Sequence, residues 1–177
     1  EPGLTKLEAG YYVIEYNDNT TFKSKIEDGY TMELLMRRYD DPKKMQIKPF
    51  AATQGGGASI CFWADDSNQI VMETGTDSSG KNAWKTAKTG VTPLKDVYYH
   101  VIAVWDQTAG TQKVYIDGEL KASNNSAAGK FFHMTPAAGK RWFGIGADPG
   151  PNNLGEISFK GEVVIARIYD DPLNADQ

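Results

Sequence analysis

The stretch YYHVIAVWD at residues 98–106, followed by VYIDG at residues 114–118, decides the fold class of this chain. The first part is a run of β-branched and aromatic residues, which is typical of a buried strand. A short turn containing Gly110 follows, and the second part ends in Asp117-Gly118, a pair that favours a hairpin turn because both positions need positive φ. The sequence therefore predicts β-hairpins and an antiparallel sheet.

Alternating apolar residues mark another strand earlier in the chain. All even-numbered residues of segment 30–36 are apolar, whereas Thr31, Glu33 and, just beyond, Arg37 are polar. Because successive side chains of a strand point to opposite faces, we expect the even-numbered side chains to enter the core. Many short strands separated by turn-rich segments are typical of a β-sandwich. The other predicted strands are residues 11–16, 59–64, 69–73, 98–105, 112–116, 141–145 and 161–169, with turns at 54–57, 77–80 and 148–153.

The strands quoted first resemble a family motif. Laminin-G/concanavalin A-like jelly-roll domains carry the strand pattern WHHVAVTYD followed by LYVDG, and this chain matches it with Tyr98 at the place of the leading Trp. Segment 159–177 is similar to the closing block of that family, F-x-G-x-I-D-E-V-R-I-Y…L-S-A-E-E, and segment 30–36 corresponds to its early core strand. The resemblance covers roughly residues 11–177. It implies an all-β, antiparallel two-sheet β-sandwich of the concanavalin A-like jelly-roll type.

The chain also departs from its resemblances at identifiable positions. The Asp-Glu pair of the laminin-G closing block is Val164-Ile165 here, so any role of those acids in relatives does not carry over. A more distant resemblance is to the pentraxins, whose strand motif places a His and a Trp as His100 and Trp105 stand here. The Cys and Ser/Thr positions of that motif hold other residues in this chain.

Composition limits the partners that we expect. The chain has 177 residues, which fits one domain spanning residues 1–177, and we expect a monomer. Its formal net charge is −4, so it lacks the basic field that drives binding to nucleic acid. No apolar run approaches the ~18 residues that span a bilayer, so we expect no membrane insertion. The single cysteine, Cys61, lies in an apolar segment and is interpreted as a buried thiol.

The chain ends suggest a module of a larger protein. Segment 173–177 resembles the beginning of the family's final turn or helix, and the first residues lack the features of a signal peptide. Bacterial members of the family accompany catalytic domains on exported polypeptides, among them glycoside hydrolases and metallophosphoesterases. The resemblance therefore implies an accessory domain of an extracellular, periplasmic or cell-surface protein, with any leader already removed.

We find no strand that carries a catalytic carboxylate pattern. Related β-glucanases place their acids as Glu-x-Asp-x-x-Glu, so that alternation aims them into one cleft. The acid pairs here, residues 40–41 and 65–66, are adjacent and near turn residues, which favours solvated turn acids. His100 is interpreted as a strand histidine satisfied by local hydrogen bonds, and no Gly-x-Ser-x-Gly is present. We therefore expect a domain that is not itself an enzyme.

Calcium is the one metal that the sequence suggests. Lectin-like relatives bind Ca²⁺ through loop carboxylates and amide oxygens, because this hard cation takes six to eight oxygen ligands. Residues 17–20 offer such groups, and so does the loop that lies where the pentraxins carry their calcium site. The ligand candidates in that second loop are Asp148, Asn152, Asn153 and Glu156.

Sugar recognition points to a different part of the chain. A pyranose stacks its apolar face on an exposed aromatic ring while nearby amides and charged groups bind its hydroxyls. Trp84 is the best candidate ring, because it lies in a polar setting suggestive of a loop or an edge strand, with Asn82 and Lys85 as hydrogen-bonding neighbours. Tyr39 is the next candidate. The other three tryptophans, Trp63, Trp105 and Trp142, are expected in the core.

These observations favour a non-catalytic, lectin-like module that binds carbohydrate. Two alternatives stay open. A structural or protein-interaction module that orients a neighbouring catalytic domain would present a broad patch rather than a cleft. A glucanase-like hydrolase would bring two carboxyl groups face to face inside one groove.

Overall fold

The fold consists almost entirely of β-strands. A computed structural model describes residues 5–7, 12–17, 25–39, 47–52, 57–63, 68–77, 82–131, 140–146 and 159–174. Outside the strands, Lys25 and Ile26 are the helical residues in these segments, and no helix there is long and apolar enough to cross a membrane. The strands are β1 Thr5–Leu7, β2 Tyr12–Asn17, β3 Gly29–Arg38, β4 Ile47–Ala52, β5 Ala58–Trp63, β6 Gln69–Asp77, β7 Asn82–Lys88, β8 Tyr98–Asp106, β9 Thr111–Ile116, β10 Glu119–Asn124, β11 Lys130–Phe131, β12 Lys140–Ile145 and β13 Gly161–Tyr169.

The strands form two antiparallel sheets. The six-stranded sheet has the order β1-β13-β3-β8-β9-β10, and the seven-stranded sheet has the order β11-β6-β5-β4-β12-β2, with β7 also paired to β6. The inner faces of both sheets contribute to one hydrophobic core. This architecture confirms the predicted two-sheet β-sandwich of the concanavalin A-like type.

The two strands that decide the fold class, β8 and β9, are neighbours in the six-stranded sheet. β8 pairs with β9, and β9 returns to β10 through Asp117 and Gly118, whose φ angles are 52° and 83°. Both turn residues thus have the positive φ that the Asp-Gly pair predicts. The Asp117 carboxylate also accepts a hydrogen bond from the backbone N–H of His100 at 2.9 Å, which ties the turn to β8.

The core follows from alternation along β3 and β8. The even-numbered side chains of β3 from Tyr30 to Met36 are fully buried, as predicted. Trp105 of β8 is also fully buried, and its indole N–H donates to the carbonyl oxygen of Ala127 at 2.9 Å. The side chains of Trp63 and Trp142 lie outside the described atoms. β3 and β8 therefore direct one face inward and leave the other face for solvent or a ligand.

A buried polar network joins the two sheets. The hydroxyl of Tyr30 lies 2.6 Å from Oγ1 of Thr74, which also accepts from Nε2 of Gln112 at 2.9 Å. Nδ2 of Asn124 donates to Oε1 of Gln112 at 3.0 Å and so extends the network to β10. Burial raises the pKa of Tyr30, so its phenol stays neutral. Because each buried group has a partner, the network fixes one alignment of the sheets.

Candidate functional site

A groove opens on the outer face of the six-stranded sheet, the face turned away from the core. Its volume is about 350 Å³, which is within the range of sites that hold small ligands. The lining combines apolar and polar side chains. The apolar ones are Ile102, Val104 and Leu173, the polar ones are Glu33, His100, Tyr115, Tyr169 and Asn174, and Gly118 completes the lining.

Four neighbouring strands bring the polar side chains together. In the order β13-β3-β8-β9, Glu33 stands opposite Arg167 on one side and opposite Ile102 on the other. Ile102 in turn stands opposite Tyr115 of β9. These positions alternate with core residues, so their side chains point outward. The same alternation that fills the core therefore collects a polar set on the opposite face.

The Glu33 carboxylate is the centre of the hydrogen bonding in the groove. Its Oε2 accepts from the hydroxyl of Tyr169 at 2.7 Å and from Nη1 of Arg167 at 3.2 Å, and its Oε1 accepts from Nε2 of His100 at 3.0 Å. Burial alone would raise the pKa of the Glu33 carboxyl, but these three hydrogen bonds outweigh it, and the pKa lies below its ordinary value. Glu33 is therefore an ionised acceptor at neutral pH, held in one orientation.

The contact with Glu33 also sets the chemistry of His100. Because an ionised carboxylate only accepts, Nε2 of His100 is the donor in this contact. The His100 side chain is 41% exposed, so the ring is open to a ligand. The groove thus presents an imidazole ring that is held by a hydrogen bond to Glu33 and is partly open to solvent.

The segment after β13 forms one side of the groove and is tied to β3. The hydroxyl of Thr31 donates to the carbonyl oxygen of Asp171 at 2.8 Å and accepts from the backbone N–H of Leu173 at 2.9 Å. Gly29 permits this approach, because a Cβ at that position would lie 3.0 Å from the Pro172 ring. Leu173 and Asn174 are therefore held in place beside the groove.

A second polar cluster lies on the same face, at the other end of β3. Oε2 of Glu162 accepts from Nη2 of Arg37 at 2.6 Å and from the hydroxyl of Tyr98 at 2.6 Å. The Arg37 guanidinium lies 4.8 Å from the ring centroid of Tyr98 and 5.4 Å from that of Tyr39, the second sugar candidate of the sequence. Glu162 also accepts a hydrogen bond from Tyr39. We call these four residues the Tyr98 cluster.

Trp84, the first sugar candidate, is on the other sheet. It lies in β7 opposite Gly75 and is 42% exposed, which matches the edge-strand setting that the sequence suggests. Lys85 stands opposite the inward-facing Thr74, so alternation directs it to the opposite face from Trp84. Asn82 starts the same strand, and its side chain is not among the described atoms. Trp84 and Lys85 line no part of the groove.

The calcium candidates lie outside the described residues. Asp148, Asn152, Asn153 and Glu156 belong to a segment that the structure does not describe, and so do residues 18–20. In the described segments, no three His, Cys, Asp or Glu side chains are grouped so that they could hold a metal ion. Calcium binding therefore stays a prediction from sequence.

The described groove lining contains a single carboxylate among other polar side chains. Glu33 is the one carboxylate among these lining residues, whereas glycosidases of both stereochemical classes use two. The acid pairs at residues 40–41 and 65–66 are not within the described segments. What the lining supplies is a fixed acceptor, an imidazole and two phenols around apolar side chains.

Sequence reasoning alone does not single out Glu33, Tyr115 or Tyr169, and it gives His100 a structural role. Each of these residues occupies an outward position of a predicted strand, so alternation already places them on the solvent side. Their proximity depends on the strand order β13-β3-β8-β9, which joins segments more than a hundred residues apart. Alternation carries no information about that order.

Solved structures share this architecture. A heptameric SAP-like pentraxin from Limulus polyphemus is 14% identical with a TM-score of 0.58, and the match covers 84% of this chain and 66% of the pentraxin chain. The CBM40 of the IT-sialidase from Ruminococcus gnavus, bound to α2,3-sialyllactose, is 17% identical with a TM-score of 0.65, covering 96% of both chains. Domain 4 of AbnA, a GH43 extracellular arabinanase from Geobacillus stearothermophilus in complex with arabinotriose, is 20% identical with a TM-score of 0.59, covering 85% of this chain and 64% of that one. Identities this low indicate a common fold.

Family models give the more specific result. No curated protein sequence matches the chain significantly. One family model, described as the concanavalin A-like lectin/glucanases superfamily, matches residues 10–177. This range agrees with the resemblance in segments 30–36, 98–118 and 159–177. The chain belongs to the concanavalin A-like lectin/glucanase superfamily.

Proposed function

We propose that this domain is a non-catalytic module that binds carbohydrate in the groove on the six-stranded sheet. The observation that carries the proposal is the Glu33 carboxylate, which three donors hold in one orientation beside apolar side chains. A sugar ring presents hydroxyl groups at its edge and C–H groups on its faces, so it needs both kinds of contact. The groove supplies them in a site that needs little rearrangement on binding.

The state of Glu33 favours binding over hydrolysis. The general acid of a glycosidase needs a carboxyl whose pKa is raised, so that it holds a proton near neutral pH. The pKa of Glu33 is shifted in the opposite direction, because Tyr169, His100 and Arg167 together outweigh the effect of burial. A carboxylate in this state accepts hydrogen bonds from hydroxyl groups and does not deliver a proton.

The solved neighbours support a sugar ligand and an accessory role. Two of them are named with a bound oligosaccharide, and both are parts of glycan-degrading enzymes. By analogy, this domain belongs to a larger exported bacterial protein, outside the cytoplasm, and serves a catalytic domain in the same chain. Calcium at Asp148, Asn152, Asn153 and Glu156 is an additional part of this proposal.

A protein-interaction role is the second candidate, and one feature favours it. Leu94 is 62% exposed and Val97 is 42% exposed, and they are three positions apart in the segment before β8. Exposed apolar side chains on one segment are the kind of surface that a neighbouring domain can cover. In this case the parent protein, and not a glycan, would cover them.

Glycan-array binding of the purified domain tests the proposal, with Ca²⁺ and with chelator. We expect selective binding that Glu33→Gln weakens about tenfold, which equals about 1.4 kcal/mol. Glu119→Gln is the matched control, because Glu119 is 74% exposed, pairs with Lys121 and does not line the groove. Binding that survives Glu33→Gln and is lost in Trp84→Ala would move the site to the seven-stranded sheet. Absence of binding by a folded sample would favour the interaction role.

A further inference from the structure

The outer face that holds the groove continues along β3 and β8 to the Tyr98 cluster. Leu35 stands opposite His100, and the next outward pair along the strands is Arg37 opposite Tyr98. Glu33 and Arg37 are four residues apart in one strand, so their backbones are separated by about 13 Å. This distance is longer than one sugar ring. A ligand that touches both ends of the face must therefore have several residues.

Tyr98 is built as a fixed aromatic surface. Its hydroxyl is held by Glu162 at 2.6 Å, and the Arg37 guanidinium lies 4.8 Å from its ring centroid, yet the residue is 42% exposed. A ring already held in one position loses little conformational entropy when a ligand stacks on it. The hydrogen bond to Glu162, together with burial, raises the pKa of Tyr98, so its ring stays neutral at physiological pH.

Charge is balanced at both ends of this face. The groove carboxylate Glu33 is matched by Arg167, and the cluster carboxylate Glu162 is matched by Arg37. Each arginine is therefore engaged by a carboxylate of the protein, so neither guanidinium is left to attract an anionic ligand on its own. A surface of this kind favours neutral sugars over acidic ones.

We propose that the Tyr98 cluster is a second subsite of the binding surface, and that the domain recognises neutral oligosaccharides that lie along β8 from the groove to Tyr98. This inference rests on the proposed function, since it assumes that the groove binds a sugar. It adds the ligand class, an oligosaccharide rather than a single sugar, and a contact residue, Tyr98, which lies two positions from His100 along β8.

Titration calorimetry with neutral oligosaccharides tests this inference. Arabino-, xylo-, cello- and malto-series are compared from the monosaccharide to the hexasaccharide, with a sialyllactose as the acidic probe. We expect the affinity of at least one neutral series to rise with length. Tyr98→Ala should lower hexasaccharide affinity about tenfold, which equals about 1.4 kcal/mol, and leave monosaccharide affinity unchanged. Tyr98→Phe should keep the length dependence, because it keeps the ring.

The outcomes separate this inference from the proposed function. If a series binds but its affinity depends on neither length nor Tyr98, the second subsite is overturned and the groove stands. Trp84 is the matched control, because its ring and that of Tyr98 are equally exposed, at 42%. If Trp84→Ala removes the length dependence and Tyr98→Ala does not, the oligosaccharide binds on the other sheet and the inference is wrong. Tighter binding of sialyllactose than of every neutral series would overturn the ligand class. If no probe binds, the proposed function fails and the subsite fails with it.

Discussion

Two glutamates stand on the outer faces of the two sheets, and their surroundings differ. Glu33 on the six-stranded sheet is 12% exposed and bonds Arg167 and His100, which are 57% and 41% exposed. Glu73 on the seven-stranded sheet lies 3.6 Å from Nζ of Lys48, and these side chains are 4% and 3% exposed. The carboxylate of Glu73 also accepts from the hydroxyl of Ser59 at 3.1 Å.

This difference distinguishes a carboxylate with solvent-exposed hydrogen-bonding partners from one whose surroundings are closed to solvent. Around Glu73 the outward positions of β5 and β6 are closed to solvent, since Ser59, Cys61 and Val71 are each 0% exposed. The burial of Cys61 confirms the sequence prediction for this thiol. A charge pair without access to water can only stabilise one arrangement of the chain, whereas a carboxylate beside exposed donors can share its network with a ligand.

Removing one partner of the buried pair should have the largest effect on stability. Lys48→Met leaves the Glu73 carboxylate without its opposite charge in a site closed to water, which is expected to lower the free energy of unfolding by about 3–5 kcal/mol. Urea denaturation measures the loss. Lys25→Met is the matched control, because Lys25 and Asp170 are 59% and 56% exposed, and breaking such a pair costs under ~1 kcal/mol.

A compensating variant makes this prediction specific. Replacing both Lys48 and Glu73 by apolar residues of similar volume should recover most of the lost stability, because the Glu73 carboxylate is then no longer buried without its opposite charge. If Lys48→Met costs no more than Lys25→Met, the two outer faces do not differ in the way that their burial indicates.

The sequence predicts the fold well because its signals are local. The Asp117-Gly118 turn and the alternation in β3 depend on residues that are neighbours in the chain, and both are confirmed. The groove depends on distant residues: Glu33 and Tyr169 are 136 positions apart. Periodicity places each of them on the outward face but does not state that β3 and β13 are adjacent, so no sequence pattern brings these two side chains together.

The predictions for His100 and Trp84 are likewise right where they depend on local sequence and incomplete where they depend on neighbouring strands. His100 is a hydrogen-bonded strand histidine, as predicted, and the structure supplies the partners: the ring bonds Glu33 and the backbone N–H bonds Asp117. The prediction omits the exposure of the ring, which depends on the neighbouring strands. The expected neighbours Trp84 and Lys85 share a polar segment, but a strand directs adjacent residues to opposite faces.

The Glu33→Gln substitution should have an effect of intermediate size on stability, and this effect should depend on pH. Its folded-state pKa lies below the ordinary value, because hydrogen bonds from Tyr169, His100 and Arg167 outweigh the opposing effect of burial. A lowered pKa contributes stability above the unfolded pKa of about 4.3, and this contribution is lost as pH falls through the folded pKa. Glu33→Gln should therefore lower stability by about 1–2 kcal/mol at pH 7, with a deficit that narrows below about pH 4.3.

Denaturation of wild-type and Glu33→Gln proteins over this pH range measures the deficit. Glu119→Gln is again the control, since its exposed pair with Lys121 should give a smaller difference at every pH. A deficit for Glu33→Gln that is independent of pH would contradict the assignment of Glu33 as the ionised centre of the groove.

Removing the hydroxyl of either groove tyrosine should have the smallest effect on stability. The two variants test which hydroxyl supports the fold and which one is available to a ligand. The hydroxyl of Tyr169 donates to Glu33 at 2.7 Å, so Tyr169→Phe should lower the free energy of unfolding by about 0.5–1.5 kcal/mol. The Glu33 carboxylate would then lose one of the donors that orient it. Among the described residues no hydrogen bond to the Tyr115 hydroxyl is found, so Tyr115→Phe should change stability by no more than about 0.5 kcal/mol. If the Tyr115 hydroxyl binds the ligand, Tyr115→Phe should lower the affinity for glycan and leave the midpoint of unfolding unchanged. Equal loss of stability in both variants would show that the groove is a structural surface.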